Sequence, residues 1–294
     1  MDDLDERIVH LLEADGRLSF AQLGAATHTA RTTAAEHVRR LIAERRLEVR
    51  GAAHPAVLGL GAMAYLRLAV DGPAAPVADA VAAEDDATFV SLVTGDAPVV
   101  LELRARDDAA IASAVARIRE VPGVRRADVT RYLTVVRDVL GPVGPFDGAV
   151  DARDRRIIAE LEQDGRLPFA AIARRVGGSP TAVRHRVVRL LASRALRIGA
   201  VVRHRSATGT PALGIGIVLD GAGADVVARL QTHDSVIFAA ESLGAFDVIV
   251  TVRAEGAARL LAVVEQLRGW SGVRTAEAWV HLDVKKETYA RVTL

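Results

Sequence analysis

Apolar residues near the start of the chain recur every three or four positions, at Leu4, Ile8, Leu11 and Leu12. That spacing predicts an amphipathic helix. Asp15-Gly16-Arg17 ends it, the glycine being suited to a C-terminal cap. A short second helix follows with Phe20 and Leu23 inward, then a break at Thr27–Thr29. A third helix is expected to start from Thr29 as its cap and to bury Ala34, Val38 and Leu41. Arg31, Thr32, Ala35 and Arg39 lie opposite that stripe. Two short helices around a tight turn, the second with a polar face, describe a helix-turn-helix. The second helix of such a unit can enter the major groove of DNA, leading with its N-terminal residues.

Further along, the pattern alternates. Met63–Val70 reads as a strand, Ala74–Ala83 as a helix, Thr88–Thr94 and Pro98–Ala105 as strands, Asp108–Arg119 as a helix and Val124–Val136 as a long strand. That is βαββαβ, the ferredoxin-like order. Gly95-Asp96 turns the central hairpin, where a positive φ is easy.

The whole pattern then recurs. LDERIVHLLEADGRLSF near the start is echoed by RDRRIIAELEQDGRLPF from Arg153, an offset of 149 residues, and 18 of the 46 positions from Asp5 to Arg50 are identical to their partners. Ile157, Ile158 and Leu161 mark the first helix of the second copy, and Phe169 and Ile172 the second. Gly177-Gly178 makes the break. Ser179 can cap the third helix, with Pro180 at its first position. Val183, Val187, Leu190 and Leu191 are the expected stripe, opposite Thr181, Arg184, His185 and Val188. A second βαββαβ follows over Leu213–Leu219, Ala224–Thr232, Val236–Leu243, Phe246–Arg253, Gly256–Leu267 and Val273–Val284, with its hairpin at Gly244-Ala245. A period this long is a duplicated two-domain unit, not a solenoid. Each four-stranded sheet has helices on one face only and needs cover on the other. The duplication supplies that partner, so a pseudo-dimer within one chain is expected.

Composition narrows the chemistry. With 294 residues, two or three domains are expected. Half the residues are hydrophobic, 26% are charged and the mean hydropathy is +0.21, which fits a folded protein. No run of 18 uncharged apolar residues suggests a membrane span. The acidic opening MDDLDERIV reads as neither a secretory signal nor a transit peptide. The absence of cysteine excludes disulfides, thiolate metal sites and thiol nucleophiles, and suits the cytoplasm. The eight histidines form no H-x-x-x-H or H-E-x-x-H spacing, so no metal is expected. No P-loop, G-x-G-x-x-G after a strand or G-x-S-x-G occurs, so no catalytic residue and no cofactor is expected. Asp85-Asp86 and Asp107-Asp108 read as solvated helix ends, and Trp270 and Trp279 as core or interface anchors.

Net charge is only +1, but its distribution is uneven. Residues 151–205 carry 13 Arg against 5 acidic residues, whereas residues 1–50 carry 8 against 9. Phosphate attraction supplies most non-specific DNA affinity. The second helical module is therefore expected to be the stronger binder, and the first a weaker contact or an interaction module.

These stretches resemble the Lrp/AsnC family. The resemblance rests on the two helix-turn-helix runs, the VTGD and LGAFD turns, and REVPGVRRADV and RGWSGVRTAEAW leading into the last strands. It implies an α+β chain in which two winged helix-turn-helix domains alternate with two ferredoxin-like βαββαβ regulatory domains. The expected bounds are 1–52 and 151–203 for the helical domains, 58–138 and 210–290 for the regulatory ones, and 139–150 for the linker, which contains GPVGPFDGA. It also implies a one-component transcription regulator that binds double-stranded DNA, responds to an amino acid or related metabolite, and assembles into a homo-oligomer through its regulatory sheets. By this analogy Ser179, Thr181, Arg184, His185, Arg186 and Arg189 contact DNA, with Arg31, Thr32 and Arg39 as the first copy's counterparts. The effector turns are Thr94-Gly95-Asp96 and Gly244 with Phe246 and Asp247. Both depart from the family pattern, which resembles Gly-Asp-x-Asp: each copy keeps one acidic residue, in a different place.

Two rival readings stand beside it. Siroheme decarboxylases look like this family, and RIGAVVRHR (Arg197–Arg205) resembles their segment after the helix-turn-helix. There Arg203 and His204 would meet tetrapyrrole carboxylates or protonate a carbanion, but the Tyr- and Trp-rich segment of that group is missing. The other rival is a metabolite-sensing adaptor that binds a protein and has no DNA role.

Overall fold

The computed structural model describes residues 2–139, 141–146, 148–202, 212–254 and 256–288. The first repeat runs α1 (Asp3–Ala14), α2 (Phe20–Thr27), α3 (Arg31–Ala43), β1 (Leu47–Ala53), a 3-10 turn (Pro55–Leu58), β2 (Ala62–Val70), α4 (Ala74–Ala82), β3 (Ala87–Val93), β4 (Val99–Ala105), α5 (Asp108–Glu120) and β5 (Val124–Asp138). The second runs α6 (Ala152–Gln163), α7 (Phe169–Val176), α8 (Pro180–Ala192), β6 (Leu196–Val202), β7 (Ala212–Leu219), α9 (Ala224–Thr232), β8 (Val236–Leu243), β9 (Val248–Arg253), α10 (Gly256–Arg268) and β10 (Val273–Glu287). The chain regroups along its length. The helical parts of both repeats form one body and the sheets of both form another.

In the helical body, Asp2, Ser19 and Asp151 each close a reciprocal capping box that starts a helix. Ser179 caps α8, with Pro180 in its first turn, as expected. Two expectations about helix ends fail. Ala30, not Thr29, precedes α3 and makes no side-chain bond, while the Thr29 hydroxyl lies 2.9 Å from that of Thr27. Gly16 does not cap α1. Asp15 ends it, and its carboxylate accepts from Arg17 N at 2.8 Å. Gly16 is required for another reason: a Cβ there would lie 2.7 Å from Val49 Cγ1 and 3.1 Å from Gly199 N.

That close approach comes from an exchange of strands. β1 and β6 pair antiparallel from Leu47 opposite Val202 to Ala53 opposite Leu196. Val49 and Ala53 of β1 pack into the core of the second head, among Ile157, Leu161 and Val187. Ala200 of β6 packs into the core of the first, among Ile8, Leu12 and Leu41. Each strand packs on both heads, since Leu47 of β1 stays in the first core and Leu196 and Ile198 of β6 stay in the second. The DGR segments then clasp reciprocally. Arg17 Nη1 donates to Gly165 O at 2.8 Å, and Arg166 Nη1 donates to Gly16 O at 2.8 Å. Each guanidinium also covers a ring of the other head, Arg17 on Phe169 at 4.4 Å and Arg166 on Phe20 at 5.1 Å. The stretch expected as a linker is docked here too. Phe146 packs on the second head's core, and Gly144 O lies 3.0 Å from His54 Nε2.

In the sheet body each repeat has its strands in the order second, third, first, fourth, as a ferredoxin-like unit should. The expected pairing of two sheets takes the form of a closed eight-stranded barrel. Closure leaves no free edge. It depends on the two 15-residue strands. β5 pairs with β2 up to Arg131, then crosses to β8. β10 pairs with β7 up to Val280, then crosses to β3. Leu66, Leu68, Leu101 and Leu103 face α4 and α5 on the outside. Inside, Tyr65 stacks between Tyr132 and Trp279, with ring centroids 6.4 and 5.9 Å away. The offset of 149 sets Tyr65 on Gly214 and Arg67 on Gly216. Those glycines are holes for knobs: a Cβ on Gly214 would lie 2.0 Å from Trp279 Nε1, and one on Gly216 would lie 2.5 Å from the Phe246 ring.

Candidate nucleic-acid interface and effector turns

Each head is pinned from its first to its third helix through one buried aspartate. In the second head Asp154 is buried between α6 and α8. Arg186 Nη1 donates to Asp154 Oδ1 at 2.8 Å and to Asp151 Oδ2 at 2.7 Å, and Arg189 Nη2 donates to Asp154 Oδ2. The Arg186 guanidinium, with the Asp154 backbone N–H, holds the Asp151 carboxyl at about 2, below its ordinary range. The first head repeats the arrangement with a weaker set. Arg40 Nη2 donates to buried Asp5 at 2.7 and 3.0 Å, and His37 Nδ1 lies 2.8 Å from Asp5 Oδ1. Burial pushes the Asp5 carboxyl up, but the bonds from His37, Asp2 N and Arg40 outweigh it and leave the group lowered.

This changes the expected contact set. Arg186 and Arg189 were expected on DNA, but their guanidiniums hold α8 against α6. A buried carboxylate left without its cations would be costly, so they are anchors first. The exposed face of α8 presents Thr181, Arg184, His185 and Val188, with Ser179 at its entry. Arg184 has no hydrogen bond or ion pair with any described residue. A shallow cleft of about 280 Å³ lies beside this face, lined by Asp151, His185, Arg186 and Arg189.

On α3, Arg31, Thr32 and Arg39 are exposed. Ala35, expected beside them, is buried. Arg39 lies over the Phe20 ring at 5.6 Å. Glu36, exposed on the same helix, takes the place that His185 has in the second head. Asp2, Asp5 and His37 bring three ligand atoms within 4.8 Å of one another. The Arg40 guanidinium sits on both Asp5 oxygens and 3.2 Å from His37 Nδ1, supplying the positive charge a cation would bring.

Sequence reasoning missed the anchoring pairs, although the signal was present. Asp5 with Arg40 and Asp154 with Arg189 are identical pairs at identical spacing in a repeat that has otherwise diverged.

The effector turns are tied into the barrel. Gly95 takes φ 110° and Gly244 φ 149°. Thr94 N donates to Val280 O at 3.1 Å, and Thr94 Oγ1 accepts from Val280 N at 3.0 Å. Arg67 Nη2 donates to Asp96 Oδ1 at 3.1 Å and to Glu277 Oε1 at 2.7 Å. The same guanidinium lies over Trp279 at 5.1 Å and Phe246 at 5.5 Å, so it draws both repeats' turns to one end of the barrel. Phe246 is a correction: it is buried among the barrel's aromatic residues and is not offered to a ligand. Asp247 is exposed, but its Oδ2 accepts from Leu219 N at 2.8 Å. Arg203 and His204 lie outside the described residues.

Residues 1–42 and 150–191 match the AsnC-type helix-turn-helix domain, and residues 63–138 match the Lrp/AsnC ligand binding domain. An HTH-type transcriptional regulator of Mycobacterium tuberculosis is 34% identical over 137 residues, which span 45% of this chain and 92% of that protein. The chain belongs to the Lrp/AsnC family. Another relative, the HTH-type transcriptional regulator FL11 of Pyrococcus furiosus, is 25% identical over 143 residues, 48% of this chain and 95% of its own. Each of these Lrp/AsnC relatives therefore corresponds to one repeat. The structure of the siroheme decarboxylase NirDL is similar across both, covering 99% of this chain and 95% of its own at a TM-score of 0.67, with 14% identity. That likeness is one of fold. Among the described residues no helix is long and apolar enough to cross a membrane.

Proposed function

We propose that the chain is a transcription regulator that grips double-stranded DNA chiefly through α8. The observation that carries this reading is the exposed face of Thr181, Arg184 and His185, held in place by the Asp154 anchor behind it. An unpartnered guanidinium on a rigid helix can donate to phosphate oxygens or to guanine O6 and N7. The reading face of α3 carries Arg31, Thr32 and Arg39, but also Glu36, whose charge opposes phosphate. In a gel-shift titration at fixed salt, Arg184→Ala should weaken binding about tenfold, in line with the 1–3 kcal/mol of a good contact. Arg31→Ala should cost less, and equal losses would overturn the assignment of α8 as the principal reader. Asymmetric operators follow from this reading, because the two heads no longer present the same face.

The sheet body is the proposed seat of effector response, with Thr94, Gly95, Asp96, Gly244 and Asp247 as the candidate turn residues and a cytoplasmic amino-acid-like metabolite as the ligand. Oligomer formation is proposed through exposed leucines on the barrel. Leu133 and Leu282 occupy equivalent places on the two long strands and are 64% and 61% exposed. Sedimentation of Leu133→Asp/Leu282→Asp against the parent chain tests this.

An enzymatic reading has the whole-chain likeness to NirDL in its favour. Adding siroheme to the purified protein and watching its absorption spectrum separates the two readings. A bound, decarboxylated tetrapyrrole with no DNA shift would replace the regulator.

A further inference from the structure

The two repeats differ sharply where the first helix of each sheet unit hands over to its second strand. In the first repeat, Arg117 on α5 donates to Glu84 at 2.9 Å and to Asp86 at 2.6 Å, which ties the helix to the loop before β3. The offset of 149 replaces Glu84 by His233, Asp86 by Ser235, Arg117 by Gln266 and Ala110 by Arg259. The ion pairs are gone. In their place is an open cleft of about 520 Å³ between the end of α9, the start of β8 and the outer face of α10.

His233 organises the floor of the cleft. Its Nδ1 accepts from Ser235 N at 3.2 Å, so its other nitrogen carries the proton and donates to Gln266 Oε1 at 3.1 Å. The Gln266 NH2 is left to donate to a ligand. Asp234 and Arg259 line the same cleft with opposite charges. Neither side chain has a hydrogen bond or ion pair with any described residue, and they do not pair with each other. Val263 supplies a buried apolar wall.

We propose that this cleft binds a small dipolar ligand of the α-amino-acid class. The ligand carboxylate meets Arg259 and the Gln266 NH2, its ammonium meets Asp234, and its side chain lies along Val263. Both charged partners are exposed, and exposed ion pairs contribute little each. Affinity is therefore in the millimolar range, and selectivity lies in the need for both charges on one small molecule. The site is separate from the hairpin turns. It goes beyond the effector role assigned to them and does not depend on that role.

The test is calorimetric titration of the full chain, without DNA, using each proteinogenic L-amino acid and its N-acetylated and C-amidated forms. At least one free amino acid should saturate, and neither blocked form should bind comparably. Arg259→Ala and Asp234→Asn should each weaken binding about threefold to fivefold, at most about 1 kcal/mol. Both side chains are exposed and unpartnered, so the variants should fold, and an unchanged circular dichroism spectrum verifies it. Absence of binding by any free amino acid, equal binding of blocked forms, or full affinity in both variants overturns the proposal. A gel shift with the bound amino acid then separates the two ideas. Saturable binding with no change in DNA affinity would count against effector response while leaving the cleft as assigned.

Discussion

The third helices α3 and α8 differ in what they show to solvent and agree in what they hide. Both are fixed by a buried aspartate, an arginine 35 residues later and a DGR clasp. Buried Ala35 stands where Arg184 is exposed, and on the outer face Glu36 stands for His185 and Arg39 for Val188. Duplication preserved the anchor and freed the reader. The comparison also corrects a simple use of charge. Part of the second module's arginine excess is structural, since Arg166, Arg175, Arg186 and Arg189 all have partners within the helical body. What separates the two readers is the placement of a few charges, with the total a poor guide to it.

The anchors offer the largest break. Asp154→Ala takes the buried carboxylate away from Arg189 and leaves Arg186 only Asp151, and should destabilise the helical body by about 3 kcal/mol, the low end for breaking a buried pair because its cations are partly exposed. Asp5→Ala, which strands one guanidinium and an imidazole, should cost less. Denaturant unfolding followed by circular dichroism ranks them, and the reverse order would mean the anchors are not equivalent. In the barrel, Gly214→Ala pushes a Cβ into Trp279 and should cost about 1–3 kcal/mol, the usual range for overpacking. Tyr65→Phe at the equivalent position of the first repeat should cost less, because its hydroxyl has no hydrogen-bond partner. Thermal melts compare the two.

A smaller effect sharpens the reading-face contrast. Glu36→His copies the second head onto the first and removes a carboxylate from the DNA side. A gain of severalfold in affinity, stronger at low salt, is expected from gel shifts. No gain would mean α3 does not approach DNA. The smallest effect is acid sensitivity. Asp151 is held at about 2 in the folded chain, below the ordinary carboxylate value near 4. A carboxyl lowered by folding contributes stability above its unfolded value and loses it as pH falls through its folded one. The helical signal should therefore weaken between about pH 4 and 2, and Asp151→Asn should flatten that part of the acid titration.

The elements of this fold were legible in the sequence because its periodicities are clean. Val124–Val136 read as a strand of the right kind, two residues short of Asp138. The exchange of strands was not legible. Nothing in the local pattern of Leu47–Ala53 tells Val49 to pack on the other head, since burial on either core satisfies the same alternation. Side-chain roles were the least visible. Arg186 and Arg184 are two positions apart on one helix, and only the place of Asp154 makes one an anchor and leaves the other free. Phe246 misled for a related reason, because a turn residue looks accessible until the Gly216 hole that receives it is known.

The crossing of β10 onto β3 carries a consequence for biosynthesis. β3 is complete early in translation, yet its outer hydrogen-bonding groups wait for a strand made almost a whole repeat length after β5. Throughout that interval the nascent first sheet offers an open margin to any neighbouring polypeptide. Ribosomes spaced closely on one message would bring such margins together, so mispairing between adjacent nascent chains is the characteristic hazard of this architecture.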